Sequence, residues 1–277
     1  MNLNISNVLL ATICVSNCLI NSNNLSARVN NKDIQSQKKP NIIFILIDDL
    51  GKEWLDVYGA KNIKLPNINR LAQTGMTFNN VYSMPQCTPS RCCLLTGLYP
   101  GNNGMVDHWD VPRWGRGVHF DPTQYQAVWA REMKKIGYMT AAAGKWQIDD
   151  FRIEPNAMVE AGFDKWCMWT GYETGNKPSG KRYWNLYLIY DNKKAQTYHG
   201  KFGPDLVNDF VLDFITKNRH KPFFVYYPML LTHSPYVTTP HEPNAKNVTE
   251  KHKAMTRYAD FLIGKVVDKL IELKLRS

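Results

Sequence analysis

The sequence predicts an α/β fold, a mostly parallel central sheet flanked by helices, and three observations carry that reading. Residues 41–47 form a continuous run rich in β-branched side chains, the mark of a strand covered on both faces. From Pro40 onward, short apolar runs alternate with amphipathic stretches of helical period. No internal repeat interrupts that alternation, so one domain over residues 40–277 is expected.

The elements follow in order. Residues 8–20 are apolar but too short to span a bilayer, and their length suits the h-region of a secretory signal peptide. Residues 1–20 are therefore read as a signal peptide and the polar residues 21–39 as a disordered leader. No Lys or Arg precedes the apolar stretch, and Asn17 interrupts it, so a plain disordered leader is the other reading. Export implies a secreted or periplasmic protein, with a lipid anchor on Cys18 as a variant. Residues 67–75 read as a short helix ending on Gly75, and residues 77–82 as a second strand. Thr88 is placed as the cap of a helix that opens with Pro89 and stops at Gly97. A helix over 124–136 ends at Gly137 and leads into a strand over 138–142. Residues 151–198 read as an aromatic-rich insertion with local strands, such as 183–190. Beyond it come an amphipathic helix over 204–218, a fourth strand over 222–228 and a closing helix over 249–273.

Lys and Arg exceed Asp and Glu by 34 − 24 = 10, and a positive field of that kind concentrates anionic substrates. The basic residues are scattered, with no arginine-rich tract or helix-turn-helix pattern, so no nucleic-acid partner is expected. Past the leader, four cysteines remain: Cys87, Cys92, Cys93 and Cys167. That is too few for a disulfide framework at this length, and the spacing is not that of a zinc site.

In an open α/β sheet, ligands bind beyond the carboxyl ends of the strands. The first strand ends in Asp48-Asp49, and the second leads into Cys87 and Arg91. The third runs into Gly144-Lys145-Trp146, and the fourth is followed by Thr232-His233-Ser234-Pro235. Adjacent carboxylates repel unless a cation sits between them, and such oxygen ligands suit Ca²⁺ or Mg²⁺. The other reading is one capping and one solvated carboxylate. Cys87 lies at a helix N-terminus, where backbone N–H groups favour negative charge. It also fits a buried structural cysteine, and Arg91 fits either an anion clamp or a surface charge.

Cys87-Thr88-Pro89-Ser90-Arg91, followed by Leu94-Leu95-Thr96-Gly97, resembles the signature of the type I, formylglycine-dependent sulfatases. Residues 41–49, Gly144-Lys145-Trp146 and His233-Ser234-Pro235 are similar to further pieces of that family, in the same order. The resemblance covers the N-terminal portion of such a protein and implies its alkaline-phosphatase-like fold. It implies that a formylglycine-generating enzyme converts Cys87 to formylglycine, and that Asp48, Asp49 and Cys87 hold calcium. One hydroxyl of the hydrated aldehyde would attack sulfur, and the other would later expel sulfate. Arg91 resembles the residue that steadies the hydrate, and Lys145 and His233 resemble sulfate-binding groups, one of them protonating the leaving alcohol. The implied activity is hydrolysis of a sulfated small molecule or glycan. Alternatives are a phosphonate or phosphate monoester hydrolase of the same superfamily, or an inactive module that binds sulfated glycans.

Two departures stand out. Many members carry His two residues after the Lys, where this chain has Gln147, which cannot transfer a proton. The family also implies a further strand ending in Asp-Asn or Asp-His, and the sequence stops at Ser277 before one. The chain is therefore read as a fragment or truncated product, ending before the last core strands and with little activity alone. Specificity is assigned to the 101–121 loop, where His108, Trp109, Arg113, Trp114, Arg116 and His119 are candidates for sugar contacts or for loop packing. The sequence does not fix the oligomeric state.

Overall fold

The structure, a computed structural model, describes residues 39–107, 120–149, 151, 154–169, 172–174, 177–178, 181–191 and 193–276. The leader expected over residues 1–38 and the six sugar-contact candidates at 108–119 lie outside the described residues. The N-terminal half contains β1 (Ile42–Leu46), α1 (Pro66–Thr74), α2 (Cys87–Thr96), α3 (Pro100–Asn103), α4 (Trp129–Lys135) and β2 (Met139–Lys145). Then follow α5 (Ala157–Glu160), β3 (Lys165–Trp169), β4 (Tyr172–Thr174), β5 (Lys177–Pro178), β6 (Tyr187–Tyr190) and β7 (Gln196–Thr197). The chain continues through α6 (Gly203–Lys217), β8 (Phe223–Pro228) and α7 (Val248–Glu272).

The central sheet has the order β1-β8-β2-β3-β6-β7. β1, β8, β2 and β3 run parallel, whereas β6 and β7 are antiparallel additions. Period-two alternation divides the core between the two faces. Phe223, Val225 and Tyr227 of β8, with Ala141 and Ala143 of β2, face the side covered by α6 and α7. Phe224 and Tyr226, with Ala142, face the side that carries Cys92 and Leu95 of α2 and Ala130 of α4. The small alanines of β2 let both layers approach the middle of the sheet. A buried Asp260 on α7 ties α1 in place, accepting from the backbone N–H groups of Asn67 at 3.3 Å and Ile68 at 2.7 Å.

The expected fold class is the one observed, and four local expectations are corrected. Residues 77–82 form no strand: Val81 and Tyr82 are 72% and 90% exposed, and apolar alternation without a neighbouring strand has no ladder to join. α2 starts at Cys87, after an extended Gln86, so Thr88 is not its cap. The Thr88 hydroxyl instead donates to the Gln147 carbonyl at 2.9 Å. The helix placed at 124–136 forms only from Trp129, because the preceding chain turns on Asp121, whose carboxylate accepts from the Thr123 N–H. Finally, residues 151–198 are not simply an insertion. Their Lys-Trp-Cys-Met-Trp segment is β3, paired in parallel with β2 in the central sheet. It lacks β-branched residues, and burial on both faces overrides that weak local preference.

Candidate active site

β1 ends two residues before Asp48, and backbone bonds fix where that residue goes. The Asp48 N–H donates to the Leu231 carbonyl at 2.8 Å, and the Thr232 N–H donates back to the Asp48 carbonyl at 2.7 Å. The carboxylate is thereby carried into a buried position with three cations around it. Lys145 Nζ lies 2.7 Å from Oδ2, Arg91 Nη2 3.1 Å from Oδ1, and Arg182 Nη1 3.4 Å from Oδ2. Burial pushes the Asp48 carboxyl up, but Lys145 and Arg91 more than offset this and hold it below the usual carboxylate range.

The other charges converge from separate elements. Cys87 is the first residue of α2, and Arg91 lies one turn further on, buried, with its Nη1 donating to the Lys145 carbonyl at 2.9 Å. Lys145 closes β2 and is fully buried, and its ammonium donates to Cys87 Sγ at 3.4 Å. Burial lowers the Lys145 pKa, Asp48 opposes that, and the neighbouring Arg91 adds to it. Gly144, with φ +125°, makes this close approach of β2 to β8 available, since a Cβ there would lie 1.9 Å from the Pro228 carbonyl oxygen.

β8 leads into the loop that carries His233. Its Nδ1 meets the Ser234 carbonyl at 2.6 Å, so Nδ1 carries the proton and Nε2 faces Asp49 Oδ2 at 3.4 Å. Burial and the neighbouring Lys145 and Arg182 lower the His233 pKa and favour its neutral form. One donor atom each from Asp49, Cys87 and His233 lies within 4.8 Å of the others. Thus the six residues assigned from sequence to catalysis and metal binding, Asp48, Asp49, Cys87, Arg91, Lys145 and His233, gather at one end of the parallel strands. Only the route differs: loop and helix, not a second strand, deliver Cys87 and Arg91. The buried Gln147 lies two residues past Lys145, on a backbone with φ +53°.

A family model described as Sulfatase matches residues 40–276. The chain belongs to the Sulfatase family. It is 29% identical over 256 residues to the N-acetylgalactosamine-6-sulfatase of Homo sapiens, a match covering 84% of this chain and 47% of that protein. It is 28% identical over 213 residues to the N-acetylglucosamine-6-O-sulfatase of Bacteroides thetaiotaomicron, covering 76% and 34% respectively. Among solved structures, Ps i-CgsB superposes with a TM-score of 0.73 at 26% identity, over 86% of this chain and 56% of that one. The chain thus spans less than half the length of the curated relatives it matches.

The Sulfatase family implies a divalent cation, and the donors present fit one in kind. Asp48 and Asp49 supply hard carboxylate oxygens at one strand end, where a bare Nε2 and Asp49 Oδ2 already face each other. Two carboxylates offer at most four of the six to eight oxygens that Ca²⁺ takes, so water, substrate or other groups would supply the rest. Cys87 would add an oxygen only after conversion. Sequence reasoning missed Arg182, Tyr183 and Trp169, which border this cluster. Their one available signal was β3, since Trp169 ends it and pairs with Lys145 in register.

Proposed function

We propose that this chain carries part of the active site of a sulfuric ester hydrolase acting on a sulfated glycan, with Cys87 as the precursor of its nucleophile. The observation behind the reading is the placing of Cys87 at a helix start, 3.4 Å from a buried Lys145 and beside Arg91, Asp48, Asp49 and His233. Both sequence relatives named above act, by name, on 6-sulfated N-acetylhexosamines, so a sulfated amino sugar is the first substrate to offer.

In this reading Cys87, converted to formylglycine, supplies the attacking oxygen. Lys145 then faces the sulfate oxygens with an ammonium already aimed at that position. Arg91 holds Asp48 and the end of β2 in register, and so fixes the distance between Lys145 and the nucleophile. His233, its Nδ1–H tied to the Ser234 carbonyl, turns Nε2 to the site, and once protonated there that nitrogen hands its proton to the departing oxygen. Asp48 and Asp49 would hold the divalent cation, which when bound supplies Lewis-acid stabilisation of the sulfate and a lowered pKa at the attacking hydroxyl.

The test is mass measurement on the Cys87 peptide after co-expression with a formylglycine-generating enzyme, followed by assays on aryl sulfate and aryl phosphate. Conversion should appear as loss of sulfur and two hydrogens with gain of one oxygen. Aryl sulfate turnover, assayed in a version extended to the length of its relatives, should vanish in C87A. An unmodified thiol throughout, or turnover dominated by the phosphate ester, would overturn the proposal.

A further inference from the structure

Arg182 lies in the segment that joins β5 to β6, outside every motif of the sequence. Its guanidinium stacks on the Trp169 ring, 4.6 Å from the centroid, while Nη1 reaches Asp48 Oδ2. Trp169 closes β3 and sits beside Lys145 in the parallel register, so the stacking platform and the buried ammonium share one sheet edge. The next residue, Tyr183, is buried, and its hydroxyl donates to the carbonyls of Leu230 and His233. Arg182 is therefore held against the His233 loop by its neighbour, and against β3 by its own plane.

The three cations at Asp48 are not equivalent. Arg91 and Lys145 are 2% and 0% exposed and make the shorter contacts, at 3.1 and 2.7 Å. Arg182 is 11% exposed, and its ion pair among the described residues is the longest of the three, at 3.4 Å, to an oxygen that Lys145 already holds. A guanidinium carries five N–H donors in a planar fork that matches tetrahedral oxyanions. Arg91, Lys145 and Arg182 set against Asp48 and Asp49 leave an excess of one positive charge before His233 is counted. Of these cations, Arg182 can turn to an incoming anion at the smallest cost, because Asp48 keeps two closer partners when it leaves.

We propose that Arg182 is a substrate-binding residue that leaves Asp48 to fork onto the non-bridging oxygens of the sulfate group, with Trp169 keeping its plane fixed. This deepens the sulfatase reading by naming a residue that grips the reacting group. Binding of inorganic sulfate, which carries no sugar, isolates that contact from recognition of the glycan. Calorimetry on the 277-residue chain at constant ionic strength should give sulfate affinity about ten- to a hundredfold weaker in R182Q, the loss of a forked charged hydrogen bond. R182K keeps the charge and loses the fork and the stacking, so its affinity should fall between the two. K217Q, a neutralisation at an exposed site remote from the cluster, should bind as the parent does.

Wild-type affinity in a folded R182Q, or no sulfate binding by the parent chain, would overturn the assignment. Should R182Q fail to fold, R182K decides: weakened binding supports the fork and unchanged binding overturns it. A parent chain that binds sulfate through Arg182 while its Cys87 peptide stays an unmodified thiol would sink the proposed function and leave this site standing.

Discussion

Asp48 is a single carboxylate on which the local charge balance depends. With Lys145 and Arg91 both buried against it, D48N removes the carboxylate that is ion-paired to both. The expected loss is about 3–5 kcal/mol, because two cations are left without an acceptor charge. Urea denaturation of D48N beside the parent checks it, and a loss below ~1 kcal/mol would mean that the cluster relaxes into solvent. Much of this cluster was legible in the sequence, since Asp48, Lys145 and His233 each follow an apolar run that could only be a strand. Arg182 was not legible. Its position depends on β3 and on the fold-back between β3 and β6, neither of which local propensity announces.

Between elements, two contacts set how the site is held. β2 approaches β8 so closely at Gly144 that any side chain would strike the Pro228 carbonyl, on a backbone with φ +125°. G144A combines strain with overpacking, for about 2–6 kcal/mol, and should lower the thermal midpoint sharply or abolish soluble expression. Asp164, just before β3, accepts from the Thr140 N–H at 3.0 Å and pairs with Lys134 at 2.6 Å, joining β2, β3 and α4. Burial raises its pKa, but Lys134 and Thr140 override this, and it lies below the ordinary 3.8. A carboxyl lowered in the folded state stabilises above its unfolded pKa and loses that contribution as pH falls through its folded value. The stability gap between the parent and D164N should therefore stay level from pH 7 to about 5 and close below about 4. A gap independent of pH would show that the hydrogen bonds, not the charge, matter there. The sequence placed β8 to within a residue, at 222–228, but stopped β2 at 142, three residues short, and did not place β3. It misjudged 77–82, because alternation alone cannot show whether a partner strand exists.

Across the whole molecule, the excess of ten basic residues acts at a distance, whereas the cluster at Asp48 acts by contact. Retention on a sulfated polysaccharide should be strong near 0.01 M salt, where the Debye length is about 30 Å, and should fall steeply by 0.15 M, where it is about 8 Å. Retention unaffected by salt would point to specific docking of the polymer. The fold class was readable because a parallel sheet needs continuous apolar strands with helices between them, and β1, β8, α6 and α7 show both. The paired bonds between Asp48 and the Leu231–Thr232 peptide carry a mechanical consequence. They rivet the exit of β1 to the exit of β8, so the acidic pair and the histidine loop form one jaw that can tilt only as a unit. The amides of Asp48 and Thr232 should then exchange hydrogen for deuterium slowly and in step. Independent rates would mean that the jaw is hinged in the middle.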